Sequence, residues 1–462
     1  MPTIRSVFQY WTQYGTKSLF GHSWELLKVN PHRFRMGYVR RVPEFSNVYV
    51  KKELPIKETE FNKPLKICYL IHYFYPAKRG GTERFVLNLA QQQKALGNEV
   101  VVVTLGNEFL NKYNQHIGDL YYRTYEYEDV PVVEVRHKKA PLGLYYKDFH
   151  TDDVAMEQFA KVFIAQEAID VVHAAYPQPF YSFVAAAKSC GVPTVLTGTD
   201  FNMLCHYATM VDRNGDFCDG SDGGMKCQSR CKTYGCKALT KRHNIAEEYL
   251  ATVQWITVPS SFVAKVFSKE FPSVAIQVVP HGIGAEFKPE EGRTSTKKFV
   301  YAGTLSELKG VHLLLDAFEK LEGDVTLDIY GPTNSSYAQQ LMHTADKRIQ
   351  FHGAVEATKM VQVYQNADCV IVPSIWYETY NFVVREALAC GCLVIASDIG
   401  AMPEAIVQGK NGFLFEPGNE ITLKQALQQA VEFDWAQYQQ SEFQTIQEEG
   451  KLYNQIYHEI VS

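Results

Sequence analysis

At 462 residues the chain is long enough for two or three domains and has ample length to bury their cores. Its apolar fraction of 46% and charged fraction of 21% are those of an ordinary globular protein, and a net charge of −5 argues against a general nucleic-acid binder. No apolar run approaches the ~18 residues of a membrane-crossing helix, and the start, Met-Pro-Thr-Ile-Arg-Ser-Val-Phe, lacks the apolar core of a secretory signal. Ten cysteines without an export signal point to reduced thiols or metal ligands in a cytoplasmic protein.

Residues 1–60 differ from the rest. From Arg5 to Arg41 there are seven Lys/Arg against one Glu, and Ile4, Val7, Phe8 and Trp11 recur at helical spacing. One reading is a basic amphipathic segment on an anionic membrane face, with peripheral contact through residues 1–42. The other is an extension packed on the body of the protein. From Pro64 the pattern alternates strand and helix. Ile67–Ile71 is a predicted strand, and the loop Arg79-Gly80-Gly81-Thr82 opens a helix carrying Phe85, Leu89 and Leu96 on its apolar stripe. Val100–Thr104 is the next strand. Glycines at 80 and 81 permit positive φ and close approach of a ligand to the helix N-terminus, although a plain strand–helix turn accounts for them equally. Ile169–His173 is a strand ending in histidine. Pro193–Leu196 is another, followed by Thr197-Gly198-Thr199-Asp200. Ligands of parallel sheets bind at carboxyl strand ends, so His173 and Asp200 are candidates for acceptor or sugar contact, with a buried structural hydrogen bond as the alternative.

Cys205, Cys218, Cys227, Cys231 and Cys236 then fall within about thirty residues rich in Gly, Asp and Lys. Such a segment is too polar for a core of its own and needs a staple. Four thiolates around a tetrahedral ion would supply one: zinc first, an iron–sulfur cluster second, with free or redox-active thiols as the alternative. A helix over Phe262–Phe271 follows, and the polar stretch Lys288–Lys298 reads as a linker.

The second half opens on the strand Phe299–Thr304, the loop Leu305–Lys309, and a helix with Val311, Leu314, Leu315, Phe318 and Leu321 on one face. Strands at Val325–Tyr330 and Ile349–His352 and a helix over Ala357–Gln365 lead to the most informative stretch, Asp368–Gly400. There Cys369–Val372 is a buried strand and Asn381 stands at an N-cap position. Phe382–Cys390 is helical, Gly391 is a left-handed stop, and Leu393–Ala396 is a second strand. This strand–loop–helix–strand unit favours a parallel sheet. Glu378 sits in the loop and Glu386 about one turn inside the helix, flanking a helix N-terminus suited to phosphate. Read alone, these are a loop charge and a surface helix residue. Lys309, before Gly310, is a candidate point charge for phosphate oxygens. A helix over Leu423–Phe433 and a long polar–aromatic helix over Trp435–Val461 close the chain.

Pro373-Ser374 before the loop, Glu386-Ala387, Gly391, Pro403-Glu404-Ala405-Ile406 and Gly409-Lys410-Asn411-Gly412-Phe413 together resemble the donor-site signature of retaining GT-B glycosyltransferases, family 4. The resemblance covers roughly residues 64–440. It implies an α/β chain of two Rossmann-like, doubly wound parallel-sheet domains facing across a cleft. By it, residues 61–285 form the acceptor domain with a cysteine-rich insertion at 205–236, residues 295–440 bind the nucleotide sugar, and 441–462 cross back to the first domain. It implies transfer of a sugar, with retained configuration, from a nucleotide-diphosphate donor such as a UDP- or GDP-sugar to a glycan or lipid-linked acceptor, with no cofactor required for catalysis. Glu386 would hold the ribose, Glu378 the hydroxyls of the transferred sugar, and backbone amides near Asn381, Phe382 and Val383 the diphosphate. Gly80 and Gly81 would match the glycine loop facing the donor, and Cys205, Cys218, Cys227 and Cys231 would be the metal ligands of a cysteine-containing subgroup. Three positions depart from the pattern: Thr199 stands for a His before Asp200, His281 for an Asn, and Thr304, after Gly303, for a phosphate-binding Arg. A GT-B epimerase or hydrolase, or a non-catalytic sugar-nucleotide-binding module, would share the same nucleotide site.

Overall fold

The computed structural model describes residues 42–45, 51, 63–106, 108–138, 153–231, 236–289, 292–343 and 346–462. The basic N-terminal stripe, and with it the membrane contact expected through residues 1–42, lies outside the described residues apart from Val42. No helix among the described residues is long and apolar enough to cross a membrane.

Two sheets carry the chain. The first contains β1 (Lys66–Ile71), β2 (Glu99–Leu105), β3 (Gln115–Ile117), β4 (Leu120–Tyr127), β5 (Val130–His137), β6 (Val171–Ala174), β7 (Thr194–Thr197), β8 (Trp255–Val258) and β9 (Gln277–Val278), in the order β3-β4-β5-β2-β1-β6-β7-β8-β9. Its central strands are continuous apolar runs buried on both faces, as helix-covered parallel strands must be. The β3–β5 edge is antiparallel, and β4 turns into β5 through Glu128 and Asp129, both at positive φ. The second sheet is parallel throughout. It contains β10 (Lys298–Ala302), β11 (Thr326–Tyr330), β12 (Ile349–Gly353), β13 (Cys369–Val372), β14 (Leu393–Ser397) and β15 (Gly412–Phe415), ordered β12-β11-β10-β13-β14-β15. Strand order therefore reverses beside β1 and β6 in one sheet and beside β10 and β13 in the other. Crevices at the carboxyl ends of such reversal points are where doubly wound sheets take their ligands. The loops after β10 and β13 carry Lys309 and Glu378.

The chain's end ties the two lobes. The expected single helix over Trp435–Val461 is instead a short turn at Trp435–Gln437, an irregular stretch, and a helix over Ile446–Val461. Its start is set by a capping box, in which the Thr445 hydroxyl accepts from Glu448 N–H while the Glu448 carboxylate accepts from Thr445 N–H. This helix lies on the Gly81–Ala95 helix of the first lobe, where Gln93 Nε2 donates to Gly450 O (2.7 Å) and Asn98 Nδ2 to Asn454 Oδ1 (2.8 Å). The outgoing crossing between the sheets runs alongside the returning one. A Cβ on Gly282 would stand 2.4 Å from Ile446 Cα, so only glycine lets the two backbones approach this closely. Buried Glu449 clasps them: its Oε2 accepts from Gly282 N–H (2.8 Å) and its Oε1 lies 3.1 Å from His281 Nδ1.

Glu449→Ala is expected to lower stability by about 2–3 kcal/mol, because it leaves a buried amide and imidazole without their charged acceptor. A urea titration checks this: the midpoint should fall with little change in slope. An unchanged midpoint would mean that the clasp contributes nothing.

Candidate active site

The β13–helix connection is built to hold one carboxylate. Buried Glu378 Oε1 accepts hydrogen bonds from Lys309 Nζ (2.6 Å), Ser374 Oγ (2.7 Å) and Trp376 Nε1 (2.8 Å), and the Lys309 ammonium stands 5.1 Å over the Trp376 ring. Burial pushes this carboxyl up, but the Lys309 charge and the three donors outweigh it and leave Glu378 below the ordinary glutamate value. Lys309 can reach because Gly310 adopts φ +67°, with its Cα so near the donor loop that a Cβ would lie 1.9 Å from Pro373 O. Next along the chain, Asn381 (φ +63°) caps the Phe382–Ala389 helix by accepting from Val384 N–H at 3.0 Å. The first-turn N–H groups of Phe382 and Val383 then point out of the helix end, where an anion finds both donors and the positive dipole. Just past β10, Gly303 donates its N–H to Tyr330 O (2.9 Å), and exposed Thr304 brings no charge.

Glu386, one turn into the same helix, is also buried, and it is paired across the lobes with Arg84. The Arg84 guanidinium lies over the Phe382 ring (4.8 Å). Burial raises the Glu386 carboxyl above the ordinary value, and Arg84 and Tyr364 only partly offset it.

On the first lobe, Gly80 is extended (φ −146°), so positive φ is not why glycine stands there. A Cβ at Gly80 would meet only the carboxylate end of Glu83, at 2.5 Å. Gly81 sits against the Phe382 ring, facing the Phe382–Ala389 helix. Thr82 Oγ1 donates to Thr199 Oγ1 (3.1 Å), and Thr199 O accepts from Thr379 Oγ1 of the opposite lobe (2.9 Å). Ser260 Oγ in turn donates to Thr379 O (2.7 Å). Asp200 stands at this junction, accepting from Asn202 N–H (2.8 Å), with its carboxyl pushed up to about 6 by burial. His173 is corrected: it is fully buried inside β6, with Nδ1 on Tyr457 OH and Nε2 on Thr197 Oγ1, both at 2.7 Å. Both ring nitrogens are engaged within the core, which leaves His173 the structural role and no acceptor contact.

Within the insertion Met210, Val211 and Phe217 are buried, and with Phe201, Met203 and Leu204 just before it they join the large core shared with both sheets. Glu270 holds the insertion from below, accepting from Ser221 Oγ (2.7 Å) and Asp222 N–H (3.2 Å). Cys205, Cys218, Cys227 and Cys231 lie in one another's electrostatic field, and burial pushes the Cys218 thiol up to about 11. Among the described residues no three His, Cys, Asp or Glu side chains converge to hold an ion.

The sequence reading gave Ser374 only as part of the signature, and Arg84 and Trp376 escaped it. Arg84 was signalled only by its position one turn into the helix that Gly81 opens, and its partner lies 302 residues away. Arg84→Ala is expected to cost about 1–3 kcal/mol at pH 7, since it leaves the buried Glu386 carboxylate without its cation, a cost reduced by the partial exposure of Arg84. Glu386 has a folded-state value above its unfolded one, so its favourable contribution is present below the unfolded value near 4.5 and is lost as pH rises. Losing Arg84 steepens that loss. The deficit should therefore shrink toward pH 4 in melting curves, and a pH-independent deficit would contradict this account.

Comparison with known proteins bears on the family and the fold. The model of the glycosyl transferases group 1 matches residues 284–442, and that of Glycosyltransferase Family 4 matches residues 79–287. The chain is 30% identical over 216 residues to the lipopolysaccharide 1,2-N-acetylglucosaminetransferase of Salmonella typhimurium, covering 41% of this chain and 56% of that protein. It is 34% identical over 158 residues to the D-inositol 3-phosphate glycosyltransferase of Mycolicibacterium smegmatis, covering 32% of this chain and 36% of that protein. These matches thus span about half or less of the relatives' length. Among solved structures, Anabaena HepE in complex with UDP and glucose superposes with a TM-score of 0.58 at 17% identity, over 85% of this chain and 99% of that one, which speaks to the fold alone. Together the two family models span residues 79–442, and the chain belongs to the family 4, group 1 glycosyltransferases of GT-B fold.

Proposed function

We propose that this protein is a retaining glycosyltransferase that moves a sugar from a nucleoside-diphosphate sugar to a hydroxyl of a glycan or lipid-linked acceptor, in surface polysaccharide or glycoconjugate synthesis at the cytoplasmic face of a membrane. The observation that carries this is the convergence of Lys309, Glu378 and the Phe382 helix N-terminus at the reversal point of the second sheet, opposite the Gly80–Gly81 loop. In this reading the diphosphate lies on the helix N-terminus beside Lys309, where preorganised donors stabilise charge as it develops on the leaving group. Glu378, held ionised, accepts from sugar hydroxyls, and Glu386 exchanges Arg84 for ribose hydroxyls. The anomeric carbon's bond to phosphate breaks as its bond to the acceptor oxygen forms on the same face, and the acceptor proton passes to the departing phosphate oxygen. Asp200 lies on the acceptor side.

Thermal shift with UDP, GDP, ADP and their sugar conjugates tests the donor site, since a ligand of the folded state raises the melting temperature by mass action. One nucleotide should stabilise the wild type and fail to stabilise Glu386→Ala. Donor turnover should require an added glycan acceptor. Turnover without acceptor would favour a hydrolase, binding without turnover a non-catalytic module, and no shift from any nucleotide would overturn the reading.

On donor chemistry, we also propose a structural zinc on Cys205, Cys218, Cys227 and Cys231, because four soft sulfurs suit a tetrahedral zinc, with an iron–sulfur cluster as second choice. Capture would draw the four side chains together from where they stand and release their protons. Elemental analysis should find one zinc per chain, lost with a lower melting temperature in Cys227→Ser. Neither zinc nor iron in stoichiometric amount would overturn this.

A further inference from the structure

Between the caged carboxylate and the cysteine-rich insertion stands one side chain that neither site uses. Tyr377 immediately precedes Glu378, yet its ring points away from the donor site and into the other lobe. It is 1% exposed and stacks on Phe262 (5.3 Å between centroids, 28° between planes), with Phe217 at 5.4 Å, Phe45 at 6.1 Å and Phe201 at 6.4 Å. Phe201 and Phe217 belong to the segment after β7 that carries the cysteines, and Phe262 opens the helix after β8. The Tyr377 hydroxyl is buried without a hydrogen-bond partner among the described residues, and its charged neighbours, Asp219 and Arg230, are residues of the insertion. A buried hydroxyl without a partner is a cost that ring packing alone must offset. The ring is therefore what this position selects.

We infer that the insertion between β7 and β8 is a positioning element for the donor carboxylate, and that Tyr377 is the positioning residue through which it acts. Successive residues here face opposite ways: Trp376 and Glu378 into the cage with Lys309, Tyr377 into the aromatic socket. Fixing the Tyr377 ring fixes the rotation of the loop about its own axis, and with it the direction in which Glu378 presents its free oxygen. The insertion is itself immobilised, with Asp219 bridging Lys226 (2.9 Å) and Lys269 (3.0 Å) and Glu270 gripping Ser221. The socket belongs to the first lobe and Tyr377 to the second, so the carboxylate is correctly aimed only when the lobes are together. Donor specificity is thereby tied to a segment that need not touch the donor.

The inference rests on the reading of Glu378 as a sugar-binding carboxylate, and its test separates the two. Phe217→Ala and Tyr377→Ala should each lower kcat by about 10- to 100-fold, the scale of a displacement of about 1 Å at a reacting centre. The affinity for the nucleoside diphosphate alone, which the inference leaves to Glu386 and the helix end, should stay within about twofold by the arithmetic of uniform binding. Tyr377→Phe, which keeps the ring, should restore most of the activity lost in Tyr377→Ala. A second readout needs no turnover. Emission from Trp376, taken as the difference between each variant and the same variant carrying Trp376→Phe, should shift in Phe217→Ala because the cage turns. If folded Phe217→Ala leaves both kcat and Trp376 emission unchanged, the inference is overturned. If emission shifts but the wild type transfers no sugar from any donor, the functional reading fails while the coupling stands.

Discussion

Everything at the cleft follows from the cost of burying the Glu378 carboxylate. An ion taken out of water without partners is untenable in a protein interior, so each element around it is placed to supply one. Lys309 comes from the loop after β10 and Ser374 and Trp376 from the loop after β13, and all three meet on one oxygen. Those loops flank the point where strand order reverses, and the close contact of Gly310 with Pro373 brings their backbones together. In the proposed reading the second oxygen takes hydroxyls of the transferred sugar.

The same junction closes the lobes on each other. Thr379, one residue beyond Glu378, donates to Thr199 and accepts from Ser260, while Glu404 accepts from Phe262 N–H at 2.6 Å. Tyr380 donates to His281 O, and the His281 ring stacks between Phe382 (5.5 Å) and Phe85 (4.4 Å). Donor loop, interlobe crossing and first-lobe helix thus share one contact surface. A rotation of either lobe must break hydrogen bonds within a few residues of the carboxylate, so lobe position and donor-site geometry are not independent variables in this molecule.

What could be read from the sequence was what is local in it. The strands at Cys369–Val372 and Leu393–Ser397, the Asn381 cap and the Gly391 stop at φ +79° are each specified within four or five residues, and the fold class follows from their alternation. The start of the final helix was equally local, in Thr445-x-x-Glu448, but an unbroken polar–aromatic run hid it. The β4–β5 turn escaped because Glu128-Asp129 adopts positive φ without the Asn-Gly or Asp-Gly signal that usually marks such turns. His173 ends an apolar run like a ligand-facing residue, and only the return of Tyr457, 284 residues later, encloses it. Composition could not show where the apolar residues of the insertion go. Averaged over thirty residues it is polar, while Phe217, with Phe201 just before the insertion, meets Tyr377 from the other lobe, a partner that no window within the insertion contains.

The two carboxylates eight residues apart show how one helix N-terminus can host opposite electrostatics. Both are buried, and each has one basic partner. Glu378 gathers an ammonium and two neutral donors on a single oxygen and falls below the ordinary value, whereas Glu386 has the Arg84 ion pair and Tyr364, stands near the repelling charge of Glu286, and rises above it. The difference lies in the number and origin of the donors. Those of Glu378 all belong to the second lobe. The strongest partner of Glu386 is borrowed across the cleft. One carboxylate therefore draws its partners from its own lobe and is held below the ordinary value, and the other takes its ion-pair partner from across the cleft and is raised above it. Such a division of environments is what assigns different roles to like residues in one site.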